Sequence, residues 1–310
     1  MKKILFIVCL ITSQVNAQLA PVILKTVRNR DNSYSIIAKN NSYAIYTVKL
    51  NFGRLIGYTT TLNGFPLAYV NRGESQIAKV TAISNASNYS FNYSSQYYMG
   101  QALNSVPDLT FSYLLPAMAG KKLVARKSVS LNERLGKTEN EAFHSINFIF
   151  KLGDTICAAR AGIIVAISDT VSIGEKKEQS YSQQRDRITI EHKDGTLAHY
   201  TVLAPIKTLV QLGDKVVPGQ PIAILNKENE KYILIFSVSY LDSKKLIAFN
   251  GEENKKSNYH ISIPTNWILD IQKEGYLDTD QITYELRVFH PIANIGIELS
   301  KKEKKKLGIQ

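Results

Sequence analysis

The chain has 310 residues, of which 44% are hydrophobic and 21% are charged, a balance typical of a folded protein of about two domains rather than a disordered one. Its 38 Lys and Arg and its 26 Asp and Glu give a formal net charge of +12. Part of this excess lies in Lys2-Lys3 and in the tail run Lys301–Lys306, and the remainder is too diffuse to indicate nucleic acid as a partner.

Residues 1–17 predict a secretory signal peptide. The positive pair Lys2-Lys3 precedes an apolar stretch over residues 4–12, and a small-residue cleavage motif ends at Ala17. A stretch this short does not cross the hydrocarbon core of a bilayer, which needs about 20 residues, and no later stretch is long enough either. We therefore expect an exported protein without a transmembrane segment, periplasmic or associated with the cell envelope.

Removal of this segment leaves a single cysteine. Cys9 lies inside the predicted signal peptide, and Cys157 is the other one. The mature chain is therefore expected to contain no internal disulfide and no cysteine-based zinc site. Because Cys157 is flanked by apolar residues, we expect it to be a buried core residue.

Residues 18–125 predict an antiparallel β-sandwich. Apolar and polar residues alternate with period two in segments that begin at Tyr46, Tyr89 and Leu109, and Asn, Gly and Ser turns separate them. The aromatic residues of these segments are expected to belong to the core. Residues 126–142 are basic and polar, which predicts a connector between two domains.

An internal repeat marks the second domain. Leu152-Gly153-Asp154 recurs sixty positions later as Leu-Gly-Asp at residues 212–214, and a run of apolar, strand-forming residues follows each copy. A Gly-Asp pair favours a tight turn into a strand, since Gly tolerates a positive φ and Asp accepts hydrogen bonds from the turn backbone. Between the copies, residues 187–200 predict a β-hairpin. The whole chain is predicted to be all-β.

Residues 143–240 resemble the lysostaphin/LytM-type zinc endopeptidases, which cut peptidoglycan cross-links. The family's segments occur here in the same order, as Ile146-Asn147-Phe148, Gly153 through Val165, Ile190 through Thr196, Tyr200-Thr201-Val202-Leu203, Val210 through Ile222, and Ile233-Leu234-Ile235-Phe236. The resemblance implies that the sandwich is followed by a duplicated-hybrid-motif (barrel-sandwich hybrid) β domain. Residues 241–310 are then a C-terminal extension with a basic tail.

The catalytic residues of that family are replaced in this chain. In the family, an Asp and two His bind zinc, and two further His act on the bound water and the oxyanion. The matching positions hold Asn147, Val202, Ile233 and Ile235, and residues 116–142 contain no His for the remaining ligand. A neutral amide binds zinc poorly, and Val and Ile neither bind metal nor move a proton. No catalytic residue, no cofactor and no metal is therefore expected, and zinc is expected to be lost.

Three histidines lie near these positions in the sequence and are the remaining candidates for a metal site. His144 lies three residues before Asn147 and is the one weak metal candidate, for a rearranged site. His192 and His199 flank the turn of the predicted hairpin, where the two rings could approach one another. For each of the three we favour a structural role, because no cluster of His, Asp and Glu at metal-ligand spacing occurs in the sequence.

Two functions of different classes follow. The first is a non-catalytic peptidase-fold protein of the bacterial cell envelope that serves as a binding, regulatory or structural subunit. Its partner would be an envelope protein, such as a cell-wall hydrolase or an outer-membrane complex, or peptidoglycan itself. The alternative is an active peptidoglycan endopeptidase, a metallohydrolase with non-standard ligands. The apolar run at residues 233–236 further predicts that the former catalytic groove is closed at this strand.

Overall fold

The computed structural model describes residues 20–62, 64–84, 86–128, 143–168, 186–203, 206–225, 232–248, 259–270, 273–277 and 283–309. Within these ranges the chain is mostly β-strand with a few short helices, which confirms the predicted all-β class. The predicted signal peptide and residues 129–142 of the predicted connector lie outside the described residues. No helix in the described ranges is long and apolar enough to cross a membrane.

Seven strands form the amino-terminal sandwich. They are β1 (Val22–Arg28), β2 (Tyr34–Asn40), β3 (Tyr46–Ile56), β4 (Tyr58–Thr60), β5 (Leu67–Val70), β6 (Gly73–Ala82) and β7 (Ser90–Met99). One antiparallel sheet has the order β1-β2-β6-β4 and the other the order β5-β3-β7. Ile36 and Val80 of the first sheet and Val48 of the second are buried in one shared core. In β3 the polar residues Thr47 and Lys49 are buried as well, so the predicted apolar-in, polar-out alternation is not followed there.

The remaining strands form one large sheet and two small ones. They are β8 (Ala102–Leu103), β9 (Ser112–Tyr113), β10 (Lys122–Lys127), β11 (Ile146–Phe150), β12 (Thr155–Cys157), β13 (Gly162–Ser168), β14 (Asp186–Glu191), β15 (Leu197–Val202), β16 (Lys207–Thr208), β17 (Lys215–Val216), β18 (Pro221–Ile224), β19 (Tyr232–Asp242), β20 (His260–Ile263), β21 (Asn266–Asp270), β22 (Lys273–Tyr276) and β23 (Tyr284–Arg287). The ten-stranded sheet has the order β17-β13-β14-β15-β19-β11-β10-β23, and β8 and β20 also pair with β19. The small sheets are β12-β18-β16 and β22-β21-β9.

Strand pairing divides the chain differently from the predicted boundaries. The sandwich strands end at Met99, whereas β8 pairs with β19, β9 with β21, and β10 lies between β11 and β23. Arg126 and Lys127, which open the predicted connector, are strand residues in β10. Strands β20 to β23, from the predicted C-terminal extension, also join these sheets. An alternating segment indicates a strand but not its neighbours, because strand pairing is decided by contacts distant in sequence.

The two copies of the repeat hold one another by reciprocal hydrogen bonds. Gly153 donates its N–H to Leu225 O at 2.8 Å, and Gly213 donates to Ile164 O at 2.8 Å. In return, Leu225 and Ile164 donate to the Asp carbonyl oxygens of the two turns, at 3.0 and 2.9 Å. Both turn glycines have positive φ, 79° and 90°, as the sequence predicts. Each turn therefore docks on a strand end of the other copy.

The carboxyl-terminal residues are fastened to the body of the protein. The helices in the described residues are α1 (Ser243–Ala248), α2 (Ile292–Ile295) and α3 (Lys301–Lys306). Just before α3, Glu298 accepts hydrogen bonds from Arg160, at 2.6 and 2.9 Å, and Arg160 also donates to Asp194 at 2.8 Å. Arg160 is only 4% exposed, so that this ion pair is shielded from solvent. The start of the basic tail is therefore anchored, while the lysines of α3 lie at the surface.

Candidate functional site

Three of the four positions that the resemblance assigns to catalytic residues lie together on one face of the large sheet. Side chains that pair directly in an antiparallel sheet point to the same side. Asn147 pairs with Ile235 across β11 and β19, and Ile149 pairs with Ile233 in the same two strands. We call this side of the sheet the outer face. The outer face thus holds Asn147, Ile233 and Ile235.

Val202 lies on the opposite, inner face. It pairs with Leu234, which in turn pairs with Phe148, and all three side chains are buried in the main core. The side chain that shares the outer face with Ile235 is that of the preceding residue, Thr201. Val202, which matches the family's histidine by sequence, therefore lies on the opposite side of the sheet from the other three positions.

Asn147 itself has an unusual environment. It pairs with Arg126 on one side and with Ile235 on the other. Its Oδ1 atom is buried and, among the described residues, has no hydrogen-bond partner. A buried carbonyl oxygen without a partner costs about 1–3 kcal/mol, and an ionised Asp in the same place would cost more. The amide is therefore better tolerated at this position than a carboxylate without a metal.

His144 is held through its backbone. Its N–H donates to Ser262 Oγ at 3.0 Å, and the same hydroxyl donates to His144 O at 2.8 Å. Within the ranges that the structure describes, no group of three or more His, Cys, Asp or Glu could hold a metal ion. The rearranged metal site that the sequence left open at His144 stays a prediction.

The two hairpin histidines point to opposite faces, so that the expected approach of their rings is wrong. Nδ1 of His192 lies 2.7 Å from Ala161 O on the inner side. His199 lies on the outer face, with Nδ1 3.2 Å from Thr189 Oγ1 and Nε2 3.2 Å from Ser239 Oγ. Burial lowers the pKa of both imidazoles to about 3. Both rings are therefore neutral at physiological pH.

One end of the outer face is covered by the amino-terminal sandwich. Val165 and Leu197 of the large sheet belong to the hydrophobic cluster of the sandwich. Beside them, Glu191 Oε2 accepts a hydrogen bond of 3.0 Å from the N–H of Ile45. Burial raises the pKa of Glu191 to about 7. A cavity of about 460 Å³, lined by His199 and other outer-face residues, remains at the margin of this covered end.

The other end of the outer face is open. A groove of about 770 Å³ runs over β10, β11 and β23. Val124 and Ile149 form its apolar floor, and Ile233, 38% exposed, continues the apolar surface onto β19. The closure predicted for this strand is therefore wrong on the outer face, because only the alternate residues Leu234 and Phe236 are buried. Residues two apart in a strand share a face, so a run of four apolar residues covers both sides.

Cationic side chains border this groove. They are Lys121, Lys122, Arg126, Lys151 and Arg287, with Asp154 and Glu285 as the acidic neighbours. Lys121 forms an ion pair with Asp154. The other four cations form no ion pair with any residue that the structure describes. The sequence did not indicate that these cations lie together, because they come from three distant segments and a surface Lys or Arg carries no signal alone.

Comparisons with known proteins do not extend this description. No protein-family model, curated protein or solved structure matches the chain. The likeness to the zinc endopeptidases therefore stays a prediction from the quoted residues.

Proposed function

We propose that this chain is a non-catalytic, peptidase-like protein of the bacterial cell envelope that acts by binding a partner protein. One observation carries the proposal. Asn147, Ile233 and Ile235, at positions where the resembled peptidases need metal ligands and acting histidines, lie side by side on the outer face. A catalytic zinc needs three protein ligands and an open position for water, and these three side chains supply neither thiolate, imidazole nor carboxylate.

The surface around these residues supports binding rather than hydrolysis. At the open end Ile233 is exposed and Val124 and Ile149 are half-buried, whereas the alternate apolar residues of the same strands are buried on the inner face. Exposed apolar surface bordered by polar groups is typical of a protein-binding surface. The exported location rests on the predicted signal peptide. The choice of a cell-wall hydrolase or an outer-membrane complex as the partner rests on the resemblance.

Metal content and peptidoglycan digestion test the proposal together. The mature chain is purified, its zinc is measured by elemental analysis, and it is incubated with isolated peptidoglycan with and without added zinc. We expect no stoichiometric zinc and no release of soluble fragments. About one tightly held zinc per chain together with digestion, both lost in His144→Ala, would establish the alternative metallohydrolase with non-standard ligands.

A matched control separates a real metal site from surface binding of zinc. His290 lies outside the matched region, and its pKa is lowered by burial. His290→Ala should leave the zinc content unchanged whichever outcome holds. Zinc that is lost equally in both variants would be adventitious, and the non-catalytic proposal would stand.

A further inference from the structure

Two side chains of like charge lie directly opposite one another at the open groove. Lys122 on β10 and Arg287 on β23 are direct cross-strand partners. Their side chains line the same groove, and neither forms an ion pair within the described residues. Like charges placed directly opposite one another on neighbouring strands destabilise a sheet. An anion that binds between them would relieve this repulsion.

The apolar floor lies between positive groups. Val124, Ile149 and Ile233 are successive cross-strand partners and form one apolar row over three strands. Lys122 lies two residues from Val124 on one side of the row, and Arg126 two residues from it on the other. A ligand that lies along the row therefore meets apolar surface beneath it and positive charge on both sides.

The dimensions of the row indicate the length of the ligand. Strands β23, β10, β11 and β19 are consecutive neighbours in the sheet. Counted from Glu285 of β23, which pairs with Val124, the row crosses four strands and at about 4.8 Å between strands spans about 14 Å, the length of roughly four extended residues. A short extended segment with acidic residues beside apolar ones has the size, shape and charge to fit. Glu285 is the acidic residue of this row. It repels an anionic group of the ligand, so such groups are favoured beside the cations and disfavoured above Glu285.

We propose that the open groove binds a short extended segment of a partner protein in which acidic residues alternate with apolar residues. The proposal rests on the proposed function, since it assigns the chemistry of the partner to the same face. It needs no metal and no catalytic group. Because alternate side chains of an extended segment point to opposite sides, the acidic side chains would pair with Lys122 and Arg287 on one side, and the apolar side chains would cover the row.

A labelled synthetic peptide tests the proposal directly. The probe has about seven residues in which Glu alternates with Val, long enough to cover the row, and a matched peptide carries Gln in place of Glu. Binding to the full mature chain is measured by fluorescence anisotropy. We expect saturable binding of the Glu peptide only, weakened at least about ten-fold when salt rises from about 0.05 to about 0.5 M.

Charge-reversal variants locate the binding. The double variant Lys122→Glu/Arg287→Glu should weaken binding of the Glu peptide by at least about ten-fold. The control Lys39→Glu/Arg54→Glu reverses two exposed strand cations of the sandwich and should change it less than about two-fold. A thermal melt of each variant confirms that the chain is folded.

Other results would overturn the proposal while leaving the non-catalytic nature of the protein intact. Equal binding of the Glu and Gln peptides would show that charge is not recognised, and equal binding by both double variants would place the site elsewhere. Tight, saturable binding of peptidoglycan fragments that displace the peptide would make the cell wall the ligand of the groove. Self-association of the chain that displaces the peptide would make a second copy the occupant. Peptidoglycan digestion, by contrast, would overturn the proposed function itself.

Discussion

The covered and open ends of the outer face belong to the same sheet but have different surroundings. At the covered end, the sandwich packs on Leu197 and Val165, and the carboxylate of Glu191 receives a backbone N–H from the sandwich. At the open end, Ile233 and the groove cations face solvent. Apolar side chains of the outer face thus stabilise the fold at one end and are available to a partner at the other. Residue type alone does not separate these two roles.

The largest expected difference between the two ends is the loss of stability when one apolar residue at each end is truncated. Leu197 is 1% exposed, so that Leu197→Ala removes buried contacts and leaves a cavity, which costs about 2–5 kcal/mol of unfolding free energy. Ile233 is 38% exposed, and Ile233→Ala should cost less than about 1 kcal/mol. Urea unfolding of the three proteins gives both values. Equal losses would show that the open end is covered in solution.

The pH dependence of stability should depend on the buried carboxylate of the covered end. Burial raises the pKa of Glu191 from 4.5 to about 7, so that the folded chain binds a proton more tightly than the unfolded chain. The stability that this group contributes is therefore complete below pH 4.5 and is lost as the pH rises through 7. We expect a loss of about 2–3 kcal/mol over this interval, since each unit of pKa shift corresponds to about 1.4 kcal/mol.

Glu191→Gln isolates this contribution. The variant should lack the decline, so that its unfolding free energy relative to the natural chain rises between pH 4.5 and 7 and is constant above pH 8. His192 and His199, whose pKa values are lowered by burial, change the stability of both proteins in the opposite direction and cancel in the difference. Parallel stability curves for the two proteins would contradict the assignment.

The two repeat turns differ in the same way, since one packs on the sandwich and the other does not, and a Gly→Ala substitution in each turn measures the difference. Gly153 and Gly213 both have positive φ, so Ala at either position is strained by about 1–2 kcal/mol. A Cβ at Gly213 would lie 2.1 Å from the ring of Tyr43 in the sandwich, whereas a Cβ at Gly153 would meet no atom within 4 Å. Gly213→Ala should therefore cost about 1 kcal/mol more than Gly153→Ala in urea unfolding. Equal costs would mean that the Tyr43 ring moves aside freely.

The smallest expected effect is a gain in stability at the open end. Lys122→Glu replaces the repulsion of Arg287 by an attraction across β10 and β23, which should raise the unfolding free energy by about 0.2–1 kcal/mol. As a control, Lys25→Glu breaks an exposed ion pair with Glu74 and should lower it by a similar amount. A loss of stability in Lys122→Glu would show that this lysine has a structural role rather than a binding one.

Much of the local structure could be predicted from the sequence. The period-two alternation predicted β3 and β7 of the sandwich, whereas the segment that begins at Leu109 contributes only β9, to another sheet. The repeated Leu-Gly-Asp predicted two turns that do adopt positive φ. The burial of Cys157 was also predicted correctly from its apolar neighbours, and burial raises the pKa of its thiol to about 12. These features depend on residues close together in the chain, where backbone freedom, side-chain alternation and local hydrogen bonds decide the conformation.

The identity of the residues at the positions that the resemblance assigns to catalysis is likewise a property of the sequence alone, but their arrangement was decided by the tertiary structure. Strand register places Asn147, Ile233 and Ile235 on the outer face and Val202 in the core. The docking of the sandwich then covers one end of that face, while strands from residues 102–127 and 283–287 extend the sheet and assemble the cationic groove. A shift of register by one residue would exchange the two faces, and only contacts between distant segments determine the register and what covers each face.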